Sequence, residues 1–173
     1  MLPRFRALGA TIGLAGCIAA LDQWVKGMIL TALPQDGVRT IIPGVFDLSH
    51  RFNTGAAFSL FAGAGMPLLI FLNVVVAVLF VWLIWPFLGR ALGVLAAGCV
   101  LGGAAGNVID RVFRHGVVDY LEIHLSPTYT WPTFNIADSA VVIGVGLLIL
   151  LFLLDRRQAP APHEAPTPEG PVS

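Results

Sequence analysis

Charge is scarce in this sequence: charged residues make up 12% of the 173 positions, and ten Lys and Arg are cancelled by ten Asp and Glu. A chain without a basic excess lacks the electrostatic footprint that polyphosphate partners require, which excludes nucleic acid as a ligand. Cysteine is nearly absent. Cys17 and Cys99 each sit inside an apolar run, so neither a disulfide framework nor a CxxC metal or redox pair is available. There is no GxSxG motif, and neither Ser59 nor Ser139 has an obvious neighbouring base, which leaves serine hydrolysis without support. His50, His115, His124 and His163 are scattered, with no HExxH or comparable zinc spacing. Glu122 and His124, close to Asp119, read as part of an exposed interfacial loop rather than a metal site, and no metal or other cofactor is expected.

What the chain has in quantity is apolar surface. Hydrophobic residues reach 57% and mean hydropathy is +0.84, against about 45–50% apolar content in ordinary soluble domains, which excludes a water-soluble enzyme. Crossing a hydrocarbon layer of roughly 30 Å takes about 20 helical residues. Two runs, 66–85 and 91–109, are long enough and carry no charge; two more, about 7–30 and 136–154, carry acidic or basic residues only near one end. The expected fold is therefore an all-α membrane protein of four transmembrane helices. A single membrane domain over 1–157 would bear a small extracytoplasmic β-like cradle. Four crossings place both termini on one side, and Arg4, Arg6, Arg90, Arg156 and Arg157 mark that side as cytoplasmic. Arg39, Arg51, Arg111 and Arg114 lie in the opposite loops, spread over longer segments.

Those loops span about 31–65 and 110–135. The first mixes β-branched residues, a Pro43-Gly44 turn signal and partial alternation, the pattern of a small sheet on the outer membrane face. The last stretch, 158–173, is proline-rich without apolar periodicity and reads as a disordered cytoplasmic tail. Leu14-Ala15-Gly16-Cys17 looks like a lipoprotein cleavage box. The apolar stretch nevertheless continues through IAALDQWV to full spanning length, beyond the 7–15 residues or so of a signal-peptide core, which favours a retained span with small residues for helix packing.

A charge at the centre of a span costs about 2.5–3.5 kcal/mol on insertion scales, so each retained one asks for a partner or a task. Asp22 and Lys26, four apart with the acid first, suit a self-neutralising ion pair. Alternatively, Lys26 reaches the outer interface while Asp22 supports a neighbouring segment. Gly98, Gly102 and Gly106 leave one face of the third span almost bare for close packing. Asn107, Asp110 and Arg111 follow at its end, either as a cap and interface anchor or as a hydrogen-bonded shelf. Asp119 and Asp138 approach the same outer boundary from GVVDYLEIH and FNIADSAVVIG. Asn135 to Asp138 has N-cap to N3 spacing, so Asp138 could serve the helix alone. If the two carboxylates meet, one pKa rises and the pair holds one shared proton, an arrangement able to activate a water without metal or covalent intermediate.

LDQWVK (21–26), FNTGAAFS (52–59), GGAAGNVIDR (102–111), VVDYLEI (117–123) and FNIADSAVVIG (134–144), in this order, resemble the lipoprotein signal peptidases, the aspartic signal peptidase II family of bacterial inner membranes. The resemblance implies that Asp119 and Asp138 are the catalytic dyad. It implies further that Asn53 and Gly55, with Asn107, Asp110 and Arg111, line or support the substrate site. Asn135 would hold the dyad's surroundings, and Asp22 with Lys26 would be structural or substrate-facing. The implied substrate is a prolipoprotein whose lipobox cysteine carries a diacylglyceryl group, cleaved on the N-terminal side of that cysteine by a multi-pass inner-membrane enzyme. Membrane lipid is its other partner, a monomer is expected, and the site would lie near the periplasmic face. The loop with Phe52, Gly55 and Phe58 would act as a lid. A competing class is a four-span proton-coupled transporter using Asp22 and Asp138; it would place acids near the midplane and show internal repeats, and neither is evident. A membrane scaffold, a third class, would have no reason to keep both Asp119 and Asp138.

Overall fold

A computed structural model describes residues 3–55 and 65–156. Four helices cross its length: α1 (Arg4–Ala32), α2 (Met66–Ile84, continued by a 3-10 turn over Trp85–Phe87), α3 (Ala91–Phe113) and α4 (Ile136–Arg156). Each is long and apolar enough to span a bilayer. Between them run β1 (Val38–Ile42), β2 (Phe46–Asn53), β3 (Val117–Ser126) and β4 (Tyr129–Thr130), forming one antiparallel sheet in sequential order. The all-α label expected from composition does not cover this sheet. Its strands come from loop sequence in which hydropathy is diluted by charged and hydroxyl residues. Residues 110–113, expected in a loop, are the last turn of α3, because Asn107, Asp110 and Arg111 find partners inside the protein instead of water. The proline-rich stretch 158–173 and Phe58 of the expected lid lie outside the described residues.

α3 is the most enclosed helix and packs against the other three. Its glycines are the reason. A Cβ on Gly98 would meet Leu14, one on Gly102 would sit 2.8 Å from the Ala15 carbonyl oxygen, and one on Gly103 would strike the Ala137 carbonyl of α4. Small residues thus let the backbones of α1 and α4 approach α3 from two sides, where dispersion contacts replace the hydrophobic drive that lipid cannot supply. Leu14 and Ala15 belong to an unbroken α1, consistent with a span built for packing. Large apolar side chains such as Phe71, Trp82 and Val142 face outward, as expected where the surrounding solvent is hydrocarbon.

Two apolar clusters divide the interior. One, around Phe80, Ile84, Phe87, Val94, Val100 and Leu151, closes the end remote from the sheet, where Arg90 pairs with Asp155 at 2.7 Å. The other joins Ile29 of α1 to Val118 and Tyr120 of β3 and seats the sheet on the helix ends. Gly44, at φ +70°, turns β1 into β2, a backbone region that side chains other than glycine's seldom adopt. Phe134 bridges to Leu121 of β3, which carries the chain past the sheet and into α4 beside Asp119.

Gly103→Ala is expected to lower stability by about 1–3 kcal/mol, the usual range for overpacking. Gly9→Ala, where a Cβ would meet nothing within 4 Å, is expected to leave it unchanged or slightly raised. Thermal unfolding of the detergent-solubilised protein compares the two.

Candidate active site

Asp22 and Lys26 lie one turn apart on α1 and are completely buried. Lys26 Nζ meets Asp22 Oδ2 at 2.8 Å, Asp110 Oδ2 at 2.7 Å and Asn107 Oδ1 at 3.2 Å. An ammonium has three N–H donors, and all three are used. The α1 ion pair is therefore real but incomplete by itself: a second carboxylate from α3 joins it, and Lys26 points inward rather than to the interface. The excess negative charge is met by Arg114, which binds Asp110 Oδ1 and Gln23 Oε1 at 2.6 Å.

The acids also hold backbone. Asp22 Oδ1 accepts the Ala137 N–H at 3.0 Å, in the first turn of α4. Asp110 Oδ2 accepts the Val118 N–H at 3.1 Å, at the start of β3. One buried cluster thus fixes the segments that carry Asp119 and Asp138. A Cβ on Gly106 would lie 2.6 Å from Asp22 Oδ2, so the bare face of α3 also makes room for this carboxylate.

Asp138 is the third residue of α4, and Asn135 caps the helix. Asn135 Oδ1 accepts the Asp138 N–H at 2.8 Å, while the Asn135 N–H donates to Asp138 Oδ2 at 3.2 Å. This is the reciprocal bonding of a capping box, with Asp in place of the usual Glu. Asp138 Oδ1 receives a second bond from Asn107 Nδ2 at 2.8 Å. The Asn135 amide turns the other way and donates to Asp119 Oδ1 at 2.7 Å. Asn53 Nδ2, from the end of β2, donates to Asp119 Oδ2 at 3.0 Å and is itself steadied by the Gly55 N–H on its Oδ1 at 3.1 Å.

All four carboxylate oxygens of the two aspartates therefore accept an N–H bond, and one residue, Asn135, touches both. Asp119 is only 3% exposed. Its pKa is pushed up from 3.8 to about 6, first by burial and then by the charge of Asp138; the bonds from Asn53 and Asn135 and the charge of Lys26 oppose the rise. Arg111, half-buried, donates to the Asn107 carbonyl at 3.3 Å and stands beside the pair.

The ten residues singled out in the sequence, from Asp22 to Asp138, fall into one contiguous neighbourhood at the sheet end of the helices. Three partners were not foreseen. Gln23 bonds Asp110 at 2.9 Å, Arg114 completes that cluster, and the Tyr120 hydroxyl accepts the Ile136 N–H at 3.2 Å. The Asp110–Arg114 spacing of four was the one available signal. Glu122 and His124 are half-buried strand residues of β3 rather than part of an exposed loop. With Asp47 they bring ligand-type atoms within 4.8 Å of one another, but His124 pairs with Asp47 at 2.8 Å and Arg51 stands 3.9 Å from Glu122.

Two largely apolar grooves open beside this neighbourhood. One, of about 340 Å³ between α2, α3 and α4, has Asn107 and Arg111 in its wall. The other, of about 600 Å³, lies between residues 129–134 and the first turns of α4, with Asp138 and Ser139 in its wall.

Buried Asp119 and half-buried Asp138, joined through Asn135 where helices meet a sheet, form a candidate acid pair set in a membrane protein. The sequence profile of the family described as signal peptidase (SPase) II matches residues 14–154. A lipoprotein signal peptidase of Syntrophotalea carbinolica is 40% identical over 152 residues, covering 86% of this chain and 92% of that protein. One from Xanthomonas axonopodis pv. citri is 38% identical, covering 84% and 88%. The fold is similar to a bacterial membrane enzyme solved by the in meso method at 2.3 Å, with a TM-score of 0.73 and 28% identity over 88% of this chain and 93% of that one. The chain belongs to the signal peptidase II family of aspartic peptidases, and it has the architecture of a multi-pass membrane protein.

Lys26→Met would leave Asp22 and Asp110 buried without their shared cation. Breaking such a cluster is expected to cost about 3–5 kcal/mol, read as a large drop in unfolding temperature and in the yield of folded protein.

Proposed function

We propose that this chain removes the signal peptide from diacylglyceryl-modified prolipoproteins, cleaving N-terminal to the lipidated lipobox cysteine with a water activated by Asp119 and Asp138. The observation that carries the reading is the double grip of Asn135, which bonds Asp119 through its side chain and Asp138 through its backbone. Two carboxylates held in register can share one proton. The ionised member takes a proton from water as the oxygen attacks the scissile carbonyl, and the protonated member hydrogen-bonds the carbonyl oxygen as charge develops there. Collapse of the tetrahedral intermediate, with proton return to the leaving amine, regenerates the pair. No metal takes part in this sequence.

Asn53, Asn107 and Asn135 act as positioning residues, each fixing a carboxylate oxygen by an amide donor that carries no charge of its own. Lys26 acts on Asp138 at one remove, through Asn107. A lipidated helix diffusing in the bilayer can present its scissile bond sideways through the grooves that open beside Asp138 and Asn107. The enzyme would work as a monomer of the bacterial inner membrane, with both termini cytoplasmic and the site at the periplasmic face. The acids stand in the first turn of α4 and in β3 rather than at mid-span, which favours hydrolysis over a proton pathway.

The test is cleavage of a synthetic lipobox peptide, with and without the diacylglyceryl group, by the purified protein in detergent. Cleavage of the lipidated peptide alone, unaffected by EDTA, is expected. Asp119→Asn and Asp138→Asn are each expected to lose at least about a thousandfold in kcat while remaining folded, a loss typical of removing the general base or acid. Cleavage of neither peptide would refute the function, and full activity in either variant would refute the dyad.

The pH profile follows from Asp119. With Asp138 ionised, Asp119 retains its proton up to about pH 6. Above that the shared proton is lost, so kcat/KM of the free enzyme is expected to fall with a midpoint near 6. The Asn53 bond opposes this rise in pKa, so Asn53→Leu is expected to move the alkaline limb to higher pH. A downward move or no move would show that the limb belongs to another group.

A further inference from the structure

Asn73 is a primary amide in the otherwise apolar helix α2, and neither the dyad nor its supports employ it. It lies seven residues past Met66, about 10 Å down the helix at 1.5 Å per residue. Asn107 stands at a similar depth, six residues before the end of α3. Among the described residues no side chain or backbone group hydrogen-bonds the Asn73 amide, although an unmet amide in hydrocarbon costs several kcal/mol. It lines two grooves at once. One, of about 400 Å³, is otherwise wholly apolar and includes Leu101 and Val108. The other is the groove that continues to Asn107 and Arg111. Ala77 and Ala104 line both, so the grooves adjoin along small side chains.

The occupant of such a channel is apolar along its length and offers one unsatisfied acceptor at the depth of Asn73. A transmembrane helix does not meet that description, because its carbonyls are bonded within the helix. An acyl ester does, since its carbonyl oxygen is a strong acceptor with no donor of its own nearby. We propose that Asn73 is a specificity-determining residue that donates a hydrogen bond to an ester carbonyl of the substrate's diacylglyceryl group, whose acyl chains lie in the adjoining grooves between α2 and α3. This rests on the proposed function above. It separates the parts of the substrate: the lipid is read between α2 and α3, and the peptide is presented to Asp119 and Asp138.

The experiment compares two lipobox peptides of equal chain length, one with an S-diacylglyceryl group and one with an S-dialkylglyceryl ether, which lacks the carbonyls. The full-length protein is expected to show kcat/KM about five- to tenfold higher on the ester, the ratio expected for one hydrogen bond. Asn73→Leu is expected to cut the ester at the ether's rate and to leave the ether's rate unchanged. Its unfolding temperature should equal or exceed that of the wild type, since leucine suits hydrocarbon. Equal use of both peptides by the wild type would overturn the proposal. So would a variant that slows both peptides alike, the result expected if Asn73 binds bulk phospholipid or only supports the helix. Failure of the wild type to cut either peptide would instead remove the functional reading on which the proposal stands.

Discussion

The structure turns on one ammonium group buried where four helices meet a sheet. Lys26 is wholly enclosed and gives its three N–H bonds to Asp22, Asp110 and Asn107. Burying a lysine there without them would be costly; with them it ties α1 to α3. Its two carboxylates carry the tie onward, Asp22 to the backbone of α4 and Asp110 to the backbone of β3. The third acceptor, Asn107, passes it to Asp138. Every segment that bears a candidate catalytic group is thus one or two bonds from the same cation. Such a cluster is weak evidence for stability, because desolvating charges is costly. Its physical sense is geometric: helices that lipid does not drive together are set in one register by bonds with few alternatives.

Much of this was legible in the sequence, and for definite reasons. Hydrocarbon imposes length and apolarity, so the two uncharged spans could be read directly, and the polar residues left inside the others stood out by their cost. Gly98, Gly102 and Gly106 announced a close approach, and the partners proved to be Leu14, Ala15, Ile18 and Asp22 of α1. The 31–65 stretch was recognisable as strand-forming by alternation and its Pro-Gly turn.

What escaped the sequence depended on contacts between distant segments. Spacing alone made Asp22–Lys26 a closed pair, since nothing local shows that Asp110 arrives from 84 positions away. The end of α3 was set too early because Asp110 and Arg111 look like interface residues until their partners are known. Glu122 and His124 appeared loop-like because charge in a strand is apparent as strand only once Asp47 and Arg51 are seen across the register. Asp138 completes the capping box of α4 and shares Asn135 with Asp119, so its helix role leaves room for the chemical role proposed above.

That overlap has a consequence for the order in which the protein is made. Asp119 and Asn53 are synthesised well before Asp138, yet the spacing of the two carboxylates is set by the cap of the last helix. That cap belongs to the first turn of α4, which Asp22 holds through the Ala137 N–H. A nascent chain that ends before α4 has Asp119 without Asp138. On the function proposed above, the acid pair would come into being in the same step that completes the fold.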